Sequence, residues 1–254
     1  MSFAAYLPSG FQHRHENELF DAVVRTLHAR FDGVPGAHVL IGNVMFEGHE
    51  MDGVLLKPNG ICIIEMKNHG GQVHFSENTQ WYAGSHEVRG GNQPNPFQQV
   101  RTYRFALRNY LRAREEQILQ KGREAEWSHI SGVVLFGREI QFDDRVLGAL
   151  RSWFHVTDVP RLADRLASIS SNRLSLSSED FDALLRLLGL DERHLYTTTA
   201  EAVGQPLQAS LRPSLGPMHL TYLKEFPFRD YELRLRNLGG ARSQAAQMVR
   251  TLFE

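Results

Sequence analysis

The chain has 254 residues, enough for one large domain or for one domain with an extension. Hydrophobic residues make up 42% and charged residues 22%, a globular balance that excludes a wholly disordered or collagen-like chain. The 28 Lys and Arg against 29 Asp and Glu leave a net charge of −1, which excludes a uniformly basic nucleic-acid-binding domain; any such contact must come from a local patch.

Apolar residues recur at helical spacing over residues 16–31 (Leu19, Phe20, Val23, Val24, Leu27, Phe31), and Gly33, Pro35 and Gly36 end that helix. Residues 37–46 read as a first strand, and 51–57 and 61–67 as two more. Pro58-Asn59-Gly60 turns the second pair into a hairpin, because Pro sets φ and Gly accepts positive φ. Ile61 to Ile64 are apolar on both faces, as in a central buried strand. Short strands are expected within 71–83, ending near Trp81, which reads as core or as a lid over the sheet edge. A polar loop follows, then a long helix over 95–120, a strand over 130–136 and another over 153–156. Asp158 caps a helix expected over 159–169, and a helix over 179–188 closes at Gly189. Residues 197–216, rich in Thr, Ser, Pro and Gly, read as a linker. A strand-like piece, HLTYLKEF, and a helix over 241–253 complete the chain, which reads either as a fragment or as a natural end.

This order predicts an α/β protein with a mixed sheet flanked by helices and a small, mostly helical C-terminal extension. The expected division is a main domain over 1–160, a helical extension over 161–196, the linker over 197–216, and a segment over 217–254 that could begin a further domain. No transmembrane helix and no leader are expected. The single cysteine, Cys62, permits no internal disulfide and reads as a small buried hydrophobe; a cytoplasmic location is expected. The twelve histidines show no HExxH or HxxxH pair and read as structural or solvated.

The chemistry centres on Asp52 and on Glu65-Met66-Lys67. Glu65 and Lys67 share one face of a strand, and Ile64 and Met66 share the other. If Pro58-Asn59 is a two-residue loop, paired residue numbers sum to 117 and Asp52 faces Glu65. Opposed carboxylates repel, and a divalent cation would turn that repulsion into ligation, Mg²⁺ accepting a few carboxylates plus waters. Lys67 would position a water or offset negative charge. A three-residue bulged loop is the competing register and turns Asp52 to the other face. A charged strand end at a sheet edge explains the same residues without any chemistry. On the later helix, Arg101, Arg104, Arg108 and Arg112 form one stripe that could track a phosphate backbone or stand solvated beside Glu115 and Glu116. Val100, Tyr103, Leu107 and Leu111 form the adjacent apolar stripe. Gln99, near the helix start, could bond a metal-bound water or a base.

The run EMDGVLLKPNGICIIEMKNHGGQV, then Trp81, then NPFQQVRTYRFAL resembles the nuclease-related domain, NERD, a branch of the PD-(D/E)XK nuclease superfamily, over residues 14–137. Glu18, or its neighbour Glu16, fits the family's first-helix Glu. Asp52 fits its strand Asp, Glu65 and Lys67 its Glu-x-Lys, and Asn68 the following Asn. Asn95, Pro96 and Gln99 fit its second-helix motif, and Gln99 with Tyr103 the Gln-x-x-x-Tyr of exonuclease-like members. The resemblance implies a restriction-endonuclease-like core and metal-dependent phosphodiester hydrolysis of nucleic acid, DNA before RNA. Asp52, Glu65 and the Met66 carbonyl would hold Mg²⁺ or Mn²⁺, and Glu18 would contribute through water. The alternative is a nucleic-acid-binding or regulatory module attached to another functional domain or protein partner. A purely structural interaction protein is the third reading.

Overall fold

In a computed structural model, described here for residues 3–143 and 145–198, the chain forms ten strands and six helices. These residues lie in the first of the two units into which the chain divides, Met1–Gly204. The bulk of the expected linker and the whole expected C-terminal segment, with its strand-like piece and final helix, lie outside the described residues.

The elements are β1 (Phe3–Tyr6), α1 (Arg14–Phe31), β2 (His38–Phe46), β3 (His49–Lys57), β4 (Gly60–Lys67), β5 (Gly71–His74), β6 (Trp81–Ala83) and β7 (His86–Val88), followed by α2 (Pro96–Ala113) and α3 (Glu115–Ile118). Then come β8 (Ser131–Phe136), β9 (Ile140–Asp143), α4 (Gly148–Arg151), β10 (Phe154–Asp158), α5 (Val159–Ser168) and α6 (Ser178–Leu187). The main sheet runs β1-β2-β3-β4-β8-β10, and a smaller one runs β7-β6-β5-β9. The β2-β3-β4 meander is antiparallel, while β1 joins β2, and β8 joins both β4 and β10, in parallel. This is the expected α/β architecture with a mixed sheet.

Several of these features differ from the expectations. The expected helix 95–120 stops at Ala113, because Arg114 leaves the helical region (φ −122°, ψ 15°), and the turn brings Ile118 and Leu119 into the core. β1 and β9 are too short and too weakly patterned to stand out in the sequence, and both are recruited by pairing with longer strands. Residues 161–196, expected as an extension, pack on the main sheet itself. Leu162, Leu166 and Ile169 join α1 on one face, and Leu174, Phe181 and Leu184 join α2 on the other.

Alternation along β4 sets the two faces. Ile61 and Ile63 pack beneath α2, and Cys62, Ile64 and Met66 beneath α1. Two close approaches hold the layers. The Lys57 ammonium, buried under α5, donates to the carbonyls of Leu166 (2.6 Å) and Ile169, satisfying groups that a helix end leaves open. Gly132 on β8 lets the Val100 side chain of α2 sit directly on the strand, where a Cβ would overlap Val100 Cγ1.

Gly132→Ala is therefore expected to destabilise by about 1–3 kcal/mol through overpacking. Gly148→Ala, where an added Cβ meets nothing within 4 Å, is expected to be close to neutral. Urea midpoints of the two variants check this, and equal midpoints would mean that α2 is not held by this contact.

Candidate active site

The β3-β4 hairpin pairs Lys57 with Gly60, and the ladder runs to Gly53 with Ile64. That is the two-residue loop and the 117 register. The ladder stops at the next position, where Asp52 would face Glu65. On its other side β3 pairs with β2 from Leu56–Val39 to Gly53–Gly42 and again from Met51–Val44 onward, omitting only the pair Asn43–Asp52. Asn43 explains the gap. It sits at φ 45°, a left-handed conformation that Asn tolerates better than most residues. Its side-chain amide donates to the Ser9 hydroxyl (3.1 Å) and to the carbonyls of Ser9 and Gly10 (both 3.2 Å). The interruption reverses the sidedness of both strands. Val39, Ile41 and Val54 face α2 before it, and Val44, Phe46 and Met51 face α2 beyond it.

Freed from the ladder, the Asp52 carboxylate accepts the Met66 backbone N–H at 2.7 Å. Burial, and then the Glu65 carboxylate, push the Asp52 carboxyl well above the ordinary carboxylate range, against the opposing pull of the Met66 amide and the Lys67 ammonium. Glu65 is 3% exposed. Its Oε1 accepts from Lys67 Nζ at 2.6 Å, while its Oε2 is buried with no partner among the described residues. An unpartnered buried carboxylate oxygen is costly. Beside a second carboxylate it marks a position that a cation would satisfy.

The second wall comes from α2. Asn95 caps the helix, accepting the Gln98 N–H at 2.9 Å, and ties it to the loop before β6 by donating to the Thr79 carbonyl at 2.7 Å. Gln99, one turn in, accepts from Lys67 Nζ at 3.1 Å and donates to the Tyr103 hydroxyl at 2.8 Å. Burial, followed by the Glu65 charge, pushes the Tyr103 phenol up to about 12, so at neutral pH it keeps its proton. Accepting from Gln99, it keeps that proton, and it lines a hollow of about 390 Å³ with Asp52, Glu16, His13, His49 and Asn92.

Asp52, Glu65, Lys67 and Gln99 thus converge, and the Met66 amide joins them. Other expected site residues do not. Glu18 lies on the outer side of α1, paired with Arg14 at 2.7 Å with both side chains largely exposed. Glu16 instead lines the hollow, and its charge reaches Asp52. The helical period accounts for this: Glu16 lies three and four residues before the buried Leu19 and Phe20, on the inward stripe, whereas Glu18 lies off it. The arginine stripe is also displaced. At about 100° per residue, Arg101, Arg104, Arg108 and Arg112 fall roughly opposite Gln99 and Tyr103 on α2, away from the acidic pair. Arg104 is engaged inside the fold, donating to the carbonyls of Ile130 (2.6 Å) and Ser128 and lying 4.7 Å above the Trp153 ring. Arg108 lies over Phe105. Trp81 is core, fully buried in the smaller sheet, and Cys62 is buried with its thiol pushed up to about 12.

Among the described residues no three His, Cys, Asp or Glu side chains gather at one metal position. A cation here would rest on Asp52 and Glu65, its remaining positions filled by backbone carbonyl and water, a donor set that suits Mg²⁺ or Mn²⁺. No helix among the described residues is long and apolar enough to cross a membrane. The family model described as nuclease-related domain, NERD, matches residues 14–137. No curated protein and no solved structure matches the chain.

The raised Asp52 carboxyl has a consequence for stability. Its folded value exceeds the unfolded one, near 3.8, so the stability it confers is present below that pH and is lost as pH rises through the folded value. With a chelator present, Asp52→Asn, which can still accept from Met66, is expected to melt higher than the parent chain at pH 7, the gain fading as the pH falls toward about 4. Each kcal/mol would read as about 2–4 °C. Equal melting temperatures across that range would show that burial and the Glu65 charge do not raise the Asp52 carboxyl.

Proposed function

We propose that this chain, whose residues 14–137 belong to the nuclease-related domain family of the PD-(D/E)XK-like nuclease superfamily, is a metal-dependent nuclease that hydrolyses phosphodiester bonds of nucleic acid, DNA in the first instance. The observation that carries the reading is the meeting of Asp52, Glu65 and Lys67 at the sheet end, with one Glu65 oxygen left unpartnered. The mixed-sheet core is restriction-endonuclease-like.

Asp52 and Glu65, with the Met66 carbonyl, would hold Mg²⁺ or Mn²⁺. When bound, such a cation lowers the pKa of water and neutralises charge on a phosphate. Lys67, clamped between Glu65 and Gln99, is held with its ammonium at the site and offsets negative charge that develops on the phosphate. Gln99 fixes both Lys67 and Tyr103, and Tyr103 offers its retained proton to a phosphate oxygen. Glu16, capping α1 through the His13 N–H at 3.2 Å, reaches the same hollow and would act through water. The cytoplasmic location belongs to the same proposal. A second reading, a nucleic-acid-binding module with little cleavage, draws on the lack of a third acidic or histidine ligand among the described residues.

Cleavage of mixed DNA and RNA substrates, with Mg²⁺ or Mn²⁺ and with chelator, separates the two readings. Lys67→Ala is expected to keep the fold and to lower turnover by about 10²–10³ with little change in binding, because its charge acts most in the transition state. Undiminished cleavage by that variant would overturn the mechanism.

The two first-helix glutamates are expected to differ. Glu16→Gln, which preserves the helix cap, should lower metal affinity or turnover by about 10–100-fold. Glu18→Gln should leave both unchanged. Titration of Mg²⁺ against cleavage rate measures this, and the reverse ranking would place Glu18 at the site.

A further inference from the structure

With the arginine stripe turned away, a strand lying at Asp52 and Glu65 must find its neighbouring phosphate contacts elsewhere. β4 and β8 run parallel and end together at Lys67 and Phe136, and their outgoing chains are tied. The Gly137 N–H donates to the Lys67 carbonyl at 2.8 Å and the Arg138 N–H to the His69 carbonyl at 3.2 Å. Crevices beyond the carboxyl ends of parallel strands are common ligand positions. Here the crevice is a hollow of about 540 Å³ whose wall includes Asn68, His69, His86, Arg138 and Glu139. Gly70 forms part of its floor, and a Cβ there would come within 2.6 Å of the Arg138 Cβ.

The donors on this wall are unspent. Among the described residues no acceptor meets the Arg138 guanidinium, the Asn68 amide or the imidazoles of His69 and His86, whereas Arg123, Arg161 and Arg193 are each tied to a carboxylate. The His69 and His86 rings lie 6.2 Å apart. Burial, and then the neighbouring His86, Lys67, Arg138 and His15, lower the pKa of His69, so basic side chains from four segments lie around it. Glu139, the one carboxylate on this wall among the described residues, is also within electrostatic reach of Arg161.

We infer that the hollow walled by Asn68, His69, His86 and Arg138 is a phosphate subsite, holding a phosphate of the same nucleic-acid strand next to the one at Asp52 and Glu65. The inference rests on the nuclease reading. It assigns strand positioning to this wall in place of the α2 arginines, and the consecutive residues Lys67, Asn68 and His69 join it directly to the catalytic lysine. Bidentate donors such as Arg138 suit phosphate oxygens. An internal phosphodiester and a terminal phosphomonoester share this chemistry.

The test measures affinity of the full chain for a fluorescent oligonucleotide in chelator, where no cleavage complicates the reading, across a salt series. Two substrates are used, with and without a 5′-phosphate. The double variant Arg138→Gln and His86→Gln retains the Cβ atoms at both positions. It is expected to bind about tenfold more weakly, with a salt slope shallower by about one or two, while its melting temperature is unchanged. The control, Arg101→Gln with Arg112→Gln on the far side of α2, is expected to bind like the parent. A loss on both substrates assigns an internal phosphate, and a loss only on the 5′-phosphorylated one assigns a terminal phosphate. If the parent chain binds and the Arg138/His86 variant matches it in affinity and slope, the subsite is overturned and the nuclease reading stands. If the parent chain binds neither substrate, nor their RNA counterparts, in chelator and also cleaves none of them with Mg²⁺ or Mn²⁺, the nuclease reading fails and the subsite with it.

Discussion

Everything at the sheet end depends on one omitted pair of backbone hydrogen-bonding partners. Where Asn43 faces Asp52, the β2–β3 ladder is interrupted and the β3–β4 ladder ends. The left-handed turn at Asn43 is held by three hydrogen bonds from a single amide to Ser9 and Gly10, so the segment between β1 and α1 decides the geometry of a strand pair distant in sequence. Backbone in sparsely populated regions costs of order 1–3 kcal/mol, and persists where the surroundings over-determine it. Here the interruption has two effects. It turns Val44, Phe46 and Met51 to the α2 core, and it frees the Asp52 carboxylate to take the Met66 N–H.

The electrostatics follow from that placement. Two carboxylates are brought together in a buried place, and one lysine is shared between Glu65 and Gln99. Such an arrangement is a poor way to stabilise a fold, since desolvation offsets most of the attraction of a buried ion pair and like charges oppose ionisation. Replacing these groups by apolar residues of similar size would serve packing better. In the nuclease reading proposed above, the arrangement would receive charge from outside: a cation between Asp52 and Glu65, and a phosphate against Lys67.

α2 serves both the core and the site because its flanks differ. Val100, Leu107 and Leu111 lie against the sheet, seated closely through Gly132. Gln99 and Tyr103 border that stripe on one side, and Arg104 on the other, where its guanidinium is absorbed by two carbonyls and the Trp153 ring. A charged stripe read from helical spacing is therefore not one surface in function. Its members nearest the core become packing groups, and the rest face away from the chemistry.

Patterns confined to one element or one turn were legible in the sequence. The two-residue Pro58-Asn59 loop fixed the 117 register, Glu65 and Lys67 shared a face by strand alternation, and Asp158 caps its helix by local hydrogen bonds. The choice between Glu16 and Glu18 was also present, in the offset of each from Leu19 and Phe20, although proximity in sequence obscured it. Tertiary structure alone decided the rest. Asn43 takes its left-handed turn because Ser9 and Gly10 meet it, and Phe3–Tyr6 and Ile140–Asp143 become strands because neighbours offer them ladders. Lys57, a charged residue at a strand end, is buried because the end of α5 presents it with carbonyls. Local periodicity fixes the direction of a side chain relative to its own backbone; what that side chain meets depends on groups remote in sequence, which only the packed chain brings within reach.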